Sequence, residues 1–320
     1  MKIAFASCMS STVFKQQPVW DQIAAQKPDR LVLLGDSIYL DVPWADGNVH
    51  PKTLGTGDFL THGWKRWAAQ VNHPAFRALV QQVPTDAIWD DHDFLWDESY
   101  KEGAVNDRRY TDLVKVSDAL FNAFRAALAA GLKTADDFPT SISDWRLNQL
   151  TAQPPGYQLR HLAPDVKLHL TDGRSWRIRQ QMLGAAQRTQ IEQAMAQAPD
   201  ALHLLASGSV VRGNDDAQWQ GFDDHVWLLG LARQYRILVL SGDIHRNRFD
   251  SIDLGGGRWL FDATSSGAAV YALVSTGEAE QNYGVVDISP TTVALSFYRF
   301  GTPDPKVPAR LIDRGAWRLR

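Results

Sequence analysis

The 320-residue chain is 44% apolar and 22% charged, the composition of an ordinary globular protein, and it exceeds the usual length of one folding unit. A net charge of −3 and the lack of any polybasic run give no electrostatic footprint for nucleic acid. No apolar run approaches the roughly 18 residues of a spanning helix, so no membrane segment is expected.

Lys2 to Ala6 reads as a first strand, leading into a loop that carries Cys8. Cys8 is the sole cysteine, which rules out an intrachain disulfide; alone it is either a small buried hydrophobe or a thiolate ligand. The stretch between Lys2 and Cys8 is too short for the h-region of a leader, which needs about 7–15 residues. The chain therefore reads as cytoplasmic, or as a periplasmic or secreted form whose signal was removed upstream. Pro18 to Gln26 has helical spacing, with Val19, Trp20, Ile23 and Ala24 on one face. Pro28 and Asp29 break it before LVLLGDSIY, Leu31 to Tyr39. Four apolar residues there form a buried strand, and Gly35 lets the backbone turn so that Asp36 emerges at its carboxyl end, where open α/β sheets place their ligands.

Asp41 to Gly57 is a long Gly-, Pro- and His-containing loop, of a length that tends to be functional. Helical pattern runs from Asp58 to Gln82 with a break near Pro74. In TDAIWDDHDFLWDES, Thr85 to Ser99, a short strand Ala87 to Trp89 precedes an acidic cluster containing His92. A long helix is expected over Asp107 to Ala130, then a connecting segment from Pro139 to Pro155. Strands follow at Tyr157 to Leu162 and Val166 to Leu170, the second delivering Asp172, Gly173 and Arg174. The remainder reads as a helix (Gly184 to Ala198), a strand (His203 to Ala206), a helix (Asp224 to Gln234) and the segment RILVLSGDIHRNRFD, Arg236 to Asp250. WLFDATSS, NYGVVDI and VALSFYRF are further strands. The tail, 301–320, is expected to pack on the surface of a single unit spanning 1–320.

Two stretches share one construction. LVLLGD and LVLSGD (Leu238 to Asp243) are each an apolar strand, a glycine and an aspartate; AIWDDHD repeats the plan with an acidic cluster and IAFASC with a thiol. Four strands thus present a ligand at the carboxyl end, and in a layered arrangement these ends converge. Asp36, Asp91 and Asp243 in one small space would repel one another by several kcal/mol at low dielectric, a cost that cations remove. His245, two residues beyond Asp243 on what reads as an extended segment, points to the same side.

Taken together, FASC, GDSIY, WDDHD and SGDIH resemble the alkaline phosphatase D (PhoD-like) metallophosphatases, and GDSIY matches the GDxxY motif of purple acid phosphatases. LTDGRSWR followed by MLGAAQ resembles a further segment of the PhoD-like family. The resemblance implies an α/β fold, a four-layer αββα metallophosphatase sandwich, and hydrolysis of a small phosphate ester. It implies that Cys8, Asp36, Tyr39 and His245 hold a ferric ion (Fe3+) and that Asp36, Asp91 and Asp243 serve one or two calcium ions (Ca2+), with Zn2+ or Mn2+ as alternatives. Where a branch of the family reads WDDHDYGxND, this chain has Asp97 and Glu98. Asp97 then joins the ligands with added negative charge, or that site is altered.

The expected mechanism is in-line attack on phosphorus by a metal-bound hydroxide. His92 is placed to orient the phosphoryl group or protonate the leaving oxygen, unless it is a structural histidine. Arg174 is read as a phosphate clamp or as the partner of Asp172. Arg246 and Arg248 could add positive potential, and Trp89 and Trp96 a stacking wall. The alternatives are a phosphodiesterase or phospholipase D-like hydrolase, and a metal-binding module without turnover. Oligomeric state is not legible.

Overall fold

The computed structural model describes residues 1–320 apart from 44, 46, 102, 104–106, 151, 152, 214–216 and 272–278. Period-two alternation in buried strands builds its centre. In β1 (Lys2–Ala6) Ile3 and Phe5 face one core and Ala4 and Ala6 another; in β2 (Arg30–Leu34) Val32 and Leu34 oppose Leu31 and Leu33. Both faces are covered, which is why LVLL reads as a continuous apolar run. β1, β2 and β3 (Thr85–Ile88) pair in parallel.

A second sheet contains β4 (Gln158–Ala163), β5 (Val166–Leu170), β6 (Leu202–Ser207), β7 (Arg236–Ser241), β8 (Asn247–Asp253) and β9 (Trp259–Ser265) in the order β4-β5-β6-β7-β9-β8. Its central strands β5, β6, β7 and β9 are parallel. After a short ribbon of β10 (Val270–Tyr271) and β11 (Ala279–Glu280), the chain returns to the first sheet with β12 (Asn282–Ile288) and β13 (Thr292–Arg299). The tail adds β14 (Thr302–Pro303), β15 (Arg310–Asp313) and β16 (Arg318–Leu319). It thus extends the edge of the first sheet, in the order β16-β15-β13-β12-β1-β2-β3, rather than merely lying on the surface.

The sheets face each other across a core that includes Phe5, Val32 and Leu34 from one and Leu168, Leu204 and Leu238 from the other. Helices Val19–Ala25, Thr56–Val71, Pro74–Gln82 and Thr111–Ala130 cover the outside of the first sheet. Ala185–Ala196 and Asp224–Ala232 cover the second, Ile191, Met195 and Leu228 packing with Leu205, Ile237 and Val239. The result is the four-layer αββα sandwich that the motifs implied. Differences from the sequence reading are local. The long helix begins at Thr111 after a 3-10 turn, a short helix Trp145–Leu150 occupies the connecting segment, and β8 follows the SGDIH loop. No helix among the described residues is long and apolar enough to cross a membrane.

Parallel strands end on the same edge, so β1, β2, β3, β6, β7 and β9 release their loops together. A bridge between Met9 and Ala269 ties the loops of the two sheets at that edge.

Candidate metal centre

At this edge Cys8 Sγ lies 3.3 Å from Asp36 Oδ2. Tyr39 Oη is 3.5 Å from the same oxygen and 3.0 Å from His245 Nε2. Two main sets of potential ligand atoms overlap here: Cys8, Asp36 and His245, and Asp36, Asp90, Asp91 and Asp243, the atoms of each set lying within 4.8 Å of one another; Asp36, Asp91 and His92 make a third group of the same kind. Asp36 belongs to all three.

The backbone explains how three of the chain segments aim inward. Cys8, Asp36, Asp243 and His245 have φ of 59°, 52°, 74° and 50°. A non-glycine residue in this left-handed region costs on the order of 1 kcal/mol, and such strain gathers at functional sites. His245 therefore reaches the side of Asp243 through two left-handed residues, not along an extended segment as its spacing suggested. The glycines of the repeated GD pair have a packing cause. A Cβ on Gly35, itself at φ 97°, would fall 2.5 Å from Asp90 Cβ, and one on Gly242 would fall 2.6 Å from Ser7 Oγ. A Cβ on Gly208, after β6, would fall 2.4 Å from Asp90 Cγ.

The electrostatics are those of a site built for cations. Asp36 Oδ1 and Asp90 Oδ2 are buried without a hydrogen-bond partner. Burial, then the neighbouring Cys8, Asp91 and Asp90, push the Asp36 carboxyl well above its ordinary range. Burial raises Cys8 to about 11, and burial with Asp90 and Asp91 raises Asp243 to about 7. Tyr39 is raised by burial and by Cys8 and Asp36. A multivalent cation inverts each of these costs, since its charge favours the ionised ligands. The donor types fit as well: thiol, phenol and imidazole meet at one end, a combination suited to a transition metal, and carboxylates alone at the other, suited to a hard cation.

The outer residues fall into place less evenly. His92 Nδ1 donates to Asp41 Oδ1 at 2.6 Å, and its ring packs on Tyr39 with centroids 4.2 Å apart. Burial opposes its charge, but Asp91, Asp36 and Asp41 outweigh burial and hold the imidazole well above its usual range. Asp91 accepts from the backbone N–H groups of His92 and Glu98. Asp97 sits at the rim with its side chain 77% exposed, 3.8 Å from His92 Nε2 and outside both ligand sets. What the two altered positions supply inward is backbone: Asp97 N–H donates to Asp41 and Glu98 N–H to Asp91.

Arg174 is not available as a phosphate clamp. It is 2% exposed, and its Nε and Nη2 both donate to Asp90 Oδ1 while Nη1 donates to Ser99 O. Nor does its guanidinium pair with Asp172, which instead accepts from the backbone of Arg174 and Ser175 and from Trp89 Nε1. Trp89 is a core residue, 1% exposed; Trp96 stands half-buried, packed on Tyr110 and His50. Sequence reasoning passed over four residues. Asp90 was hidden by its neighbour Asp91, and Asp41 by the irregular loop around it. Ser266 Oγ lies 3.1 Å from Cys8 Sγ and accepts from His245 N–H, and Gln218 donates to Asp243. Neither of these last two carries a local signal.

Residues 3–129 match the family described as PhoD-like phosphatase. No curated protein matches the chain. Among solved structures, one described as the structure of PhoD is 14% identical, with a TM-score of 0.66 over 100% of this chain and 71% of its own. A dimetal phosphatase from Danio rerio is 10% identical, with a TM-score of 0.57 over 98% of this chain and 99% of its own. At these identities the two structures show the fold. Together, the family match and the full-length likeness in fold bear out the resemblance carried by FASC, GDSIY, WDDHD and SGDIH: this chain is similar to the PhoD-like phosphatases and has their sandwich architecture.

Proposed function

We propose that the protein is a metal-dependent phosphoesterase acting on a small phosphate ester. Cys8, Asp36, Tyr39 and His245 would hold a ferric ion, and Asp36, Asp90, Asp91 and Asp243 a neighbouring calcium ion. The observation that supports this reading is the sharing of Asp36 between a mixed S/N/O set and an all-carboxylate set, with one of its oxygens buried and unpartnered. The family match and the dimetal phosphatase fold point the same way.

When bound, the cations supply Lewis acidity, which lowers the pKa of water and neutralises charge on phosphoryl oxygens. The chain does the rest. Asp41, which lies outside the ligand sets, fixes the His92 ring by accepting its Nδ1–H and favours the protonated imidazole. Grouped with Asp36 and Asp91, His92 would then serve as a proton donor to the leaving oxygen. Arg174 offsets Asp90 and so limits the negative charge that the set must share.

Elemental analysis of purified protein, with hydrolysis of 4-nitrophenyl phosphate and bis(4-nitrophenyl) phosphate, tests this. Turnover that is lost on chelation and restored by metal is the expected result, and the ratio of the two rates separates monoesterase from diesterase. Protein that binds both ions and hydrolyses neither ester is a binding module. Stoichiometric zinc or manganese would replace the metal assignment while keeping the ligands.

A further inference from the structure

With Arg174 committed to Asp90, the positive charge available to a substrate lies elsewhere. A groove of about 420 Å³ adjoins the centre, lined by Arg212, Arg246, Arg248, Gln218, Ile244 and Asp250 among others. Two of these connect it directly to the centre: Ile244 lies between Asp243 and His245, and Gln218 donates to Asp243. The groove is a built feature. Arg248 pairs with Asp250 at 2.9 Å, and its Nη2 donates to the carbonyl of Arg212, tying the 208–213 loop to β8. Gln218 Oε1 accepts from Val210 N–H, and Gln220 Oε1 from Gly213 N–H.

Arg248 is thereby spent. Arg212 and Arg246 are not: both are exposed, and among the described residues neither guanidinium has a hydrogen-bond or ion-pair partner. Among the described residues, three guanidinia line this groove against the one carboxylate of Asp250, beside a centre rich in acidic groups. In the proposed centre the charge on the reacting phosphoryl group would be met by the cations. A neutral leaving group would gain nothing from two further guanidinia, whereas a carboxylate or phosphate can take paired N–H donors from either.

We infer that the groove of Arg212 and Arg246 takes a second anionic group, carried by the substrate on the far side of the ester being cleaved. The inference rests on the phosphoesterase reading and names its substrate class: phosphate esters whose leaving group bears its own carboxylate or phosphate. Because both arginines are exposed, the selectivity is carried in KM and is screened by salt.

Phosphate release from phenyl phosphate, 4-carboxyphenyl phosphate and 1,4-phenylene bisphosphate by the metal-loaded protein tests this. The expected result is a KM roughly tenfold lower for one or both of the charged esters, with similar kcat. The ester that gains shows whether carboxylate or phosphate is preferred. The advantage should collapse in the Arg212→Gln/Arg246→Gln double variant, and also in the wild type at about 0.5 M salt. Equal KM values for all three esters, or an advantage that survives both treatments, would overturn the inference while leaving the phosphoesterase reading intact. No turnover of any of the three would instead sink that reading, and this inference with it.

Discussion

Arg174 and Asp90 form a buried ion pair in which Nε and Nη2 both address one carboxylate oxygen, leaving the other buried without a partner. The guanidinium offsets part of the charge where four carboxylates share a small volume, and in the proposed centre the orphaned oxygen would face a cation. A buried pair of this kind is weak evidence for stability, but removing one partner is costly because the remaining charge is uncompensated.

Arg174→Met should therefore lower the free energy of unfolding in urea by about 3–5 kcal/mol and reduce metal content. A residue that merely clamped substrate would behave otherwise: KM would rise with stability and metal content unchanged. Denaturation curves and elemental analysis on the same preparation separate the two.

Asp36→Asn keeps the shape of the side chain and removes the charge shared by both ligand sets. Loss of groups that only support a metal ligand typically costs 10–100-fold, so loss of the shared ligand should cut activity by at least about a hundredfold and strip both ions. The metal-free variant should be no less stable than metal-free wild type, because a buried, repelled carboxylate has become a neutral amide. Retention of both metals by this variant would falsify the bridging assignment.

If Tyr39 ligates ferric iron as phenolate, aerobically purified protein should be coloured by a visible charge-transfer band. Tyr39→Phe should abolish the band while retaining part of the iron through Cys8, Asp36 and His245. An absorption spectrum together with iron content checks this, and an unchanged band in the variant would remove Tyr39 from the ligand set.

Glycines at two positions should respond with opposite sign. Gly208→Ala drives a methyl into Asp90 and should cost about 1–3 kcal/mol together with metal affinity. In Gly230→Ala the new methyl meets nothing within 4 Å, and the site lies in the helix Asp224–Ala232, so stability should rise by roughly 0.5–1 kcal/mol. Thermal melts with metal titrations decide both.

Away from the centre, Tyr157 Oη donates to His169 Nδ1 at 2.8 Å, and His169 Nε2 lies 2.9 Å from His203 Nδ1. His203 Nε2 donates to the carbonyl of Ala198. This chain of bonds is complete only with both rings neutral. Burial lowers His169 to about 3, helped by His203, and lowers His203 to about 4. With folded pKa values below the unfolded value, the unfolded chain binds protons first on acidification. Stability is thus full above about pH 6.5 and falls as the pH drops towards 4, by on the order of 2–4 kcal/mol between pH 7 and 5. Urea unfolding at those two pH values should show the loss in wild type and a smaller one in His169→Phe/His203→Leu. Equal losses would exclude the pair as its source.

How much of this was legible beforehand follows from the range of the forces involved. LVLLGD and LVLSGD announced two buried strands and two ligands because a continuous apolar run and a turn glycine are local features, complete within six residues. The thiol after β1 and the acidic cluster after β3 were legible in the same way, since a parallel strand delivers its ligand at its own end.

What the amino-acid sequence carried by itself was therefore the kinds of atom gathered at the strand ends and, through the resemblance of its motifs to the PhoD-like family, the four-layer plan. Tertiary structure alone decided their roles. Arg174 and Asp90 lie 84 residues apart, and His92 and Asp41 lie 51 apart. Whether a guanidinium meets substrate or a buried carboxylate depends on the packing of loops from different sheets, which no local pattern encodes. The left-handed backbone of Asp243 and His245 was hidden for the same reason: strain of that kind persists only where surrounding contacts impose it.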